Sequence, residues 1–411
     1  MRYFYLLVLF ISNITLAQTE LSGGIYSDKI LKKSESPYLV NSKLVVFPGI
    51  TVTVEPGVEI RFKNEVGLEI RGNFFALGTS QNRIKFTGMN KTIGSWAGIT
   101  FLEVDNSNSG FDFCDFEYAT YNYLMSNYTG SLYFKNSKFY KNLRAIAMFT
   151  SFEVPIDNCI FDSNEYAITS INKKITNCTF TNNQFAIAQG GNLSIFNSNF
   201  SNNIVAIDAD AITVDNTTII NNGTGLELST SDVNSITNCT ISNNNTGIAL
   251  YTSALNNALI KSNKICNNLN YNVRIFGSNN VSLKENCWCT EDKSIIDGLI
   301  YDGYDNVSLG LVSYDIYDAD CTTKLGAQNL NVKEKIEIYP NPFTSHLNIK
   351  IGKSAKKIVL NIFSLDGKKV ETENFENTNQ INYSPKNLNA GSYILNIDID
   401  GEVFNRKILK K

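Results

Sequence analysis

A short phrase recurs along the middle of the chain: Asn, two residues, Phe or Ile, two residues, Asn. Its copies are Asn136-Phe139-Asn142, Asn158-Phe161-Asn164, Asn177-Phe180-Asn183, Asn197-Phe200-Asn203, Asn216-Ile219-Asn222 and Asn238-Ile241-Asn244. The first Asn residues lie 22, 19, 20, 19 and 22 positions apart. So regular a period belongs to a solenoid, in which each unit rests only on its neighbours. The chain has 411 residues, too many for one compact core unless that core is elongated.

Within each unit the apolar residues alternate over short runs, as in Ile207-Asp208-Ala209-Asp210, Leu226-Glu227-Leu228, Ile248-Ala249-Leu250 and Val273-Arg274-Ile275. A period of two means strand, and no stretch carries the helical period over any length. Short strands repeating without helices between them stack as parallel sheets. Their crossovers take the usual right hand. The expected fold class is all-β: a right-handed parallel β-helix rising about 4.8 Å per coil. The Phe and Ile of the phrase point inward, and the Asn side chains sit at corners, bonding turn backbone and each other. Cys159, Cys178 and Cys239 share their slot with Ser137, Ser198 and Thr217, which reads as a small-residue stacking position. Cys287, Cys289 and Cys321 lie outside that slot and are the candidates for a bridge to Cys321.

Residues 1–17 read as a signal peptide: Met1-Arg2, an apolar run from Tyr3 to Ile11, and small residues at Thr15-Leu16-Ala17. No transmembrane segment is expected, since the leader's apolar run is too short to span a bilayer. Net charge is −3, but residues 3–334 carry 23 basic and 31 acidic side chains, whereas residues 335–411 carry 12 and 8. An acidic body argues against nucleic acid as a partner.

The amino-terminal text runs Val46-Phe47-Pro48-Gly49, then Val54-Glu55-Pro56-Gly57-Val58-Glu59-Ile60-Arg61-Phe62, Leu68-Glu69-Ile70-Arg71-Gly72 and Trp96-Ala97-Gly98-Ile99. It resembles the opening coils of bacterial surface proteins with pectate-lyase-like right-handed β-helices. The segment Asn286-Cys287-Trp288-Cys289, with Ile300-Tyr301-Asp302 after it, resembles the closing segment of that group, with Cys289 where Gly is usual. Trp288 is expected to cover the last coil. The domains are then 18–322, a β-helix with caps, and 323–334, a linker.

Residues 335–411 hold alternating strands around Asp-Gly and Ala-Gly turns and suggest a small immunoglobulin-like β-sandwich. The motifs Tyr339-Pro340-Asn341-Pro342, Asp366-Gly367 and Gly391-Ser392-Tyr393 resemble those of the type A sorting domain of the type IX secretion system. The resemblance implies the type IX machinery as a partner through 335–411, and a destination outside a Gram-negative cell or on its surface. In that family the tail is usually removed and the passenger is released or attached to surface lipopolysaccharide.

The only histidine is His346, inside this tail. The body therefore lacks Ser-His-Asp, Cys-His and His-based zinc chemistry. Aligning the strands puts Ala147, Thr169, Ala188, Asp208, Glu227, Ala249 and Arg274 in one outward column. Asp208 and Glu227 are then neighbours, Asp210 extends the acidic patch, and Arg274 lies two coils beyond Glu227. These four are the candidate catalytic residues: a carboxylate pair for glycoside cleavage, or a calcium-assisted uronate lyase with Arg274 as base. The other reading is a β-helix that binds or adheres to polysaccharide through exposed Tyr, Asn and Thr, without catalysis or cofactor. Tyr118, Tyr121, Tyr123 and Tyr128 are candidates for stacking on sugars. Long turns look scarce, with Val104–Gly110 and Ser229–Asn234 the notable ones.

Overall fold

The computed structural model describes residues 18–102, 108–124, 130–148, 154–171, 173–229, 235–251, 259–315, 321, 336–364, 368–386, 388–400 and 402–411. The leader 1–17, nearly all of the linker, and Asp366 and Gly367 lie outside them. Two units emerge, residues 1–325 and 326–411.

The first unit is the expected solenoid. Its strands form three parallel sheets of 12, 13 and 11 members, and each strand pairs with its counterparts one coil before and after. In the first sheet the repeat phrases align in register: Phe139 pairs with Phe161, Phe161 with Phe180, Phe180 with Phe200, Phe200 with Ile219, and Ile219 with Ile241. All six side chains are fully buried. The rings of Phe116, Phe139, Phe161, Phe180 and Phe200 stack nearly parallel, with centroids 4.4 to 4.7 Å apart. Trp288 is 2% exposed and donates its indole N–H to the Asp315 carbonyl, so the large ring closes the core at its carboxy-terminal end.

The two Asn residues of each phrase do different work. The last one is buried and forms a ladder through Asn142, Asn164, Asn183, Asn203, Asn222, Asn244 and Asn268. From Asn164 onward each side-chain oxygen accepts both the backbone N–H and the side-chain NH2 of the preceding Asn, as between Asn164 and Asn183 at 2.9 and 3.0 Å, while Asn142 accepts the Ala119 N–H. Each NH2 also donates to a carbonyl of the preceding coil, as Asn183 does to Phe161. The first Asn instead supplies backbone shape. Asn136, Asn158, Asn177, Asn197, Asn216 and Asn238 all have φ near +50°, a region Asn enters more readily than most residues. Their side chains bond each other or an aspartate at the surface, as Asn158 to Asn136 and Asn177 to Asp157.

The Cys/Ser/Thr slot selects for more than size. Its heteroatom accepts a backbone N–H from the coil before: Ser137 from Cys114, Cys178 from Cys159, Ser198 from Cys178, and Thr217 from Ser198. Asn263 continues the series by accepting from Cys239. The slot therefore needs a compact acceptor. Cys114, Cys159, Cys178 and Cys239 are buried free thiols, and burial pushes the Cys239 thiol up to about 12.

Two disulfides join Cys266 to Cys289 and Cys287 to Cys321. Cys321 is bridged as expected, but Cys266 was not among the sequence candidates. Cys289 has φ +60°, so it keeps the left-handed turn for which Gly is the usual residue.

A six-residue helix, Lys293–Gly298, precedes the last rung of the second sheet, Ile300–Tyr301. Among the described residues no helix is long and apolar enough to cross a membrane.

The second unit is a five-stranded antiparallel sheet. Its strand Leu347–Ser364 breaks register between Lys350 and Ala355. The residues before the break pair with Glu337–Tyr339, and those after it with Gly391–Ile399. The sheet thereby curls around Phe343, Leu347, Ile349, Leu360, Leu395 and Ile408. In the sorting motif, Asn341 accepts from the Leu409 N–H and donates to the Lys407 carbonyl, tying Tyr339-Pro340-Asn341-Pro342 to the last strand. Gly391 opens a strand, and Tyr393 donates to the Asn389 carbonyl.

Candidate functional site

The outer face of the second sheet carries the residues singled out by alignment. Ile207, Leu226, Ile248 and Val273 are wholly buried, and so are Ala209, Leu228, Leu250 and Ile275 beyond them. The residue between each pair must project outward. Asp208 pairs with Glu227, Glu227 with Ala249, Ala249 with Arg274, and Arg274 with Tyr301. The two acids therefore occupy adjacent rungs, with Arg274 two rungs on. Asp210 lies on the bend just after its strand.

The acids are half-buried and form no ion pair among the described residues. Burial raises the Asp208 carboxyl above the usual range, against an N–H from Gln189, and the Asp210 charge adds to the rise. Burial likewise raises Glu227, helped by the Asp208 charge and opposed by the Thr224 hydroxyl. The folded chain thus holds these protons more tightly than the unfolded chain. The stability the two groups contribute is full at acid pH and falls as pH rises through their raised values. Relative to wild type, the double variant Asp208→Asn/Glu227→Gln is expected to gain stability from acid to neutral pH, with the difference vanishing in acid. Urea unfolding at both pH values checks this, and a gap of the opposite sign shows the acids to be stabilised as anions.

Arg274 is enclosed by rings. Its guanidinium carbon lies 4.6 Å from the Phe276 centroid, 5.2 Å from Tyr301 and 5.7 Å from Tyr271. Its Nε is buried without a hydrogen-bond partner. Aromatic faces attract a cation, so the cage favours Arg274 as a fixed positive donor. Tyr251 stacks on Phe276 with centroids 4.3 Å apart. Its phenol is raised by burial first and then by the Glu227 and Asp208 charges, while Arg274 opposes them. Its backbone N–H bonds the Leu228 carbonyl, so Tyr251 stands one coil on from Glu227 and just past it along the strand direction.

Sequence reasoning missed Tyr251, Phe276, Tyr271 and Tyr301. One signal was available: Tyr251 and Phe276 each directly follow the last strand residue, Leu250 and Ile275, in consecutive coils. Of the tyrosines proposed from sequence, Tyr118 packs against the core and makes an edge contact with Tyr140. Tyr121 is 41% exposed on the second sheet. The side chains of Tyr123 and Tyr128 lie outside the described residues. Of the two long turns expected from sequence, residues 104–107 and 230–234 lie outside the described residues, and residues 108–110 belong to a strand.

Comparison with known proteins fits this architecture. Residues 185–296 match the family described as a right-handed beta helix region, and residues 337–411 match the secretion system C-terminal sorting domain. Among curated proteins, the Drosophila melanogaster "Protein bark beetle" is 47% identical over 75 residues, which are 18% of this chain and 2% of that protein. The chain thus spans a very small part of that relative's length. Among solved structures, the A-module of an Azotobacter vinelandii mannuronan C-5 epimerase is 12% identical, covering 74% of this chain and 88% of that one with a TM-score of 0.30. A periplasmic alginate epimerase is 15% identical, covering 68% and 70% with a TM-score of 0.28. This chain is a right-handed parallel β-helix protein. Its carboxy-terminal sorting domain makes it an exported one, secreted or held at the cell surface.

Proposed function

We propose that this exported β-helix binds polysaccharide along the outer face of its second sheet. The observation that carries the reading is the placement of Asp208 and Glu227 beside Tyr251, with the ring-caged Arg274 beyond them. Carboxylates and a half-buried guanidinium bond hydroxyls, while aromatic edges and faces meet the apolar side of a sugar. The sorting tail carries the chain through the type IX machinery to the outer surface of a Gram-negative cell, where a long flat face suits adhesion.

A second reading, cleavage by the carboxylate pair, is favoured by one observation. Both acids are raised by their surroundings, as acid–base groups often are. Asp208, Glu227 and Asp210 are hard oxygen donors of the kind calcium accepts.

A glycan array combined with a reducing-end release assay on the purified exported chain tests both. Binding without release is expected. The double variant Glu227→Gln/Tyr251→Ala should weaken that binding about tenfold. New reducing ends that disappear in Asp208→Asn/Glu227→Gln would establish cleavage instead. Binding unaffected by either double variant would remove the site from this face.

A further inference from the structure

The carboxy-terminal cap contains a cavity that the sheet-face site leaves unused. It encloses about 730 Å³ between the short helix Lys293–Gly298 and the segment from Ile300 to Tyr314. Ligand cavities commonly fall in the range of about 300 to 1,000 Å³. The lining includes Ile300 and Val312, which are 5% and 7% exposed and supply apolar surface. Tyr304, 88% exposed, stands at the rim.

One wall is a fixed polar group. Lys293 Nζ donates to Asp297 Oδ2 at 2.6 Å and to the Tyr314 hydroxyl at 3.3 Å. The Tyr314 hydroxyl donates to Asp297 Oδ1. Tyr314 is itself held from behind by an edge contact with Trp288, the residue that closes the core.

The charges define what fits. Three carboxylates line the cavity, those of Asp297, Asp302 and Asp305, against one ammonium, Lys293. That balance disfavours an anion. The acids are also committed, which disfavours a metal cation. Asp297 is taken by Lys293 and Tyr314. Asp302 accepts the backbone N–H groups of Tyr304 and Val312, and Asp305 accepts that of Asp302. What remains is an apolar floor, two phenol rings, and polar groups whose spare lone pairs and protons suit hydroxyls.

The geometry points to a second, independent binding site at this cap for a neutral, polyhydroxylated ring compound: one or two residues of an uncharged sugar. Its polar wall is Lys293-Asp297-Tyr314 and its rim is Tyr304. This assignment does not rest on the sheet-face reading, and the two sites share no residue.

Saturation-transfer NMR on the exported chain tests it, with maltose, cellobiose, lactose and N-acetylglucosamine as probes. Transfer to at least one of them is expected. Tyr304→Ala, a change at an exposed side chain, and Asp297→Asn should each weaken binding about tenfold. Both changes are made in the Glu227→Gln/Tyr251→Ala background, where sheet-face binding is weakened, and transfer is expected to persist there until Tyr304 or Asp297 is changed, which separates this site from the sheet face. Circular dichroism establishes that each variant is folded. No transfer to any of the four sugars, or transfer that survives both Tyr304→Ala and Asp297→Asn, overturns the proposal.

Discussion

Asn183→Ala is expected to lower the unfolding free energy of the solenoid by about 4 kcal/mol, and Asn177→Ala in the same coil by only about 1 kcal/mol. The residues are six positions apart and chemically identical, so the contrast isolates environment. Asn183 is 1% exposed. Its side chain accepts from the Asn164 backbone and side chain and donates to Phe161 and Asn203. Alanine leaves the Asn164 N–H and the Phe161 carbonyl buried without those partners, and each such orphan costs about 1–3 kcal/mol. The bonds also run in a continuous line, which raises the loss beyond that of isolated pairs. Asn177 loses one surface bond, to Asp157, and the remaining cost is that of alanine at φ +56°. Urea unfolding of the three proteins measures both values. Equal losses would mean that the ladder contributes no more than the surface column.

Much of this was legible in the chain. The spacing of Phe139, Phe161, Phe180 and Phe200 gave the coil, its register and the inward column. The equivalence of Asp208 and Glu227 followed from the same count. Which Asn of each phrase is buried was not legible, because both are Asn at turn positions and only the left-handed φ of the first tells them apart. The bridge Cys266–Cys289 was readable in principle. Asn263-x-Ile265-Cys266 and Asn286-x-Trp288-Cys289 place both cysteines in the same slot of consecutive coils, 23 residues apart. It escaped because Ser262 and Glu285 stand where the phrase has its first Asn. The cage around Arg274 was harder still. Tyr271 and Phe276 come from its own coil, but Tyr301 arrives only after the helix Lys293–Gly298 interrupts the period. No fixed offset predicts a neighbour across such an insertion.

The largest single loss is expected from Phe180→Ala, about 4–5 kcal/mol, together with a local effect that a compact domain does not show. Phe180 is fully buried, and its ring stacks on Phe161 at 4.7 Å and on Phe200 at 4.4 Å. Truncation leaves a cavity the size of the ring, and a Phe-to-Ala change in a packed core costs about 3–5 kcal/mol. The two stacking contacts lie at the upper end of that range because the rings are nearly parallel and cannot close the gap without moving a coil. Coils above and below are joined by strand hydrogen bonds at fixed spacing, so collapse is resisted on both sides. Each coil touches only its neighbours, and the damage should stay where it is made. Hydrogen exchange in the variant should therefore quicken from Phe161 to Ile219 and remain at the wild-type rate around Phe62 and Ile70. The global loss is read from urea unfolding. Uniform quickening along the whole first unit would show that the solenoid opens as one cooperative block, and the coil-by-coil account of its stability would fail.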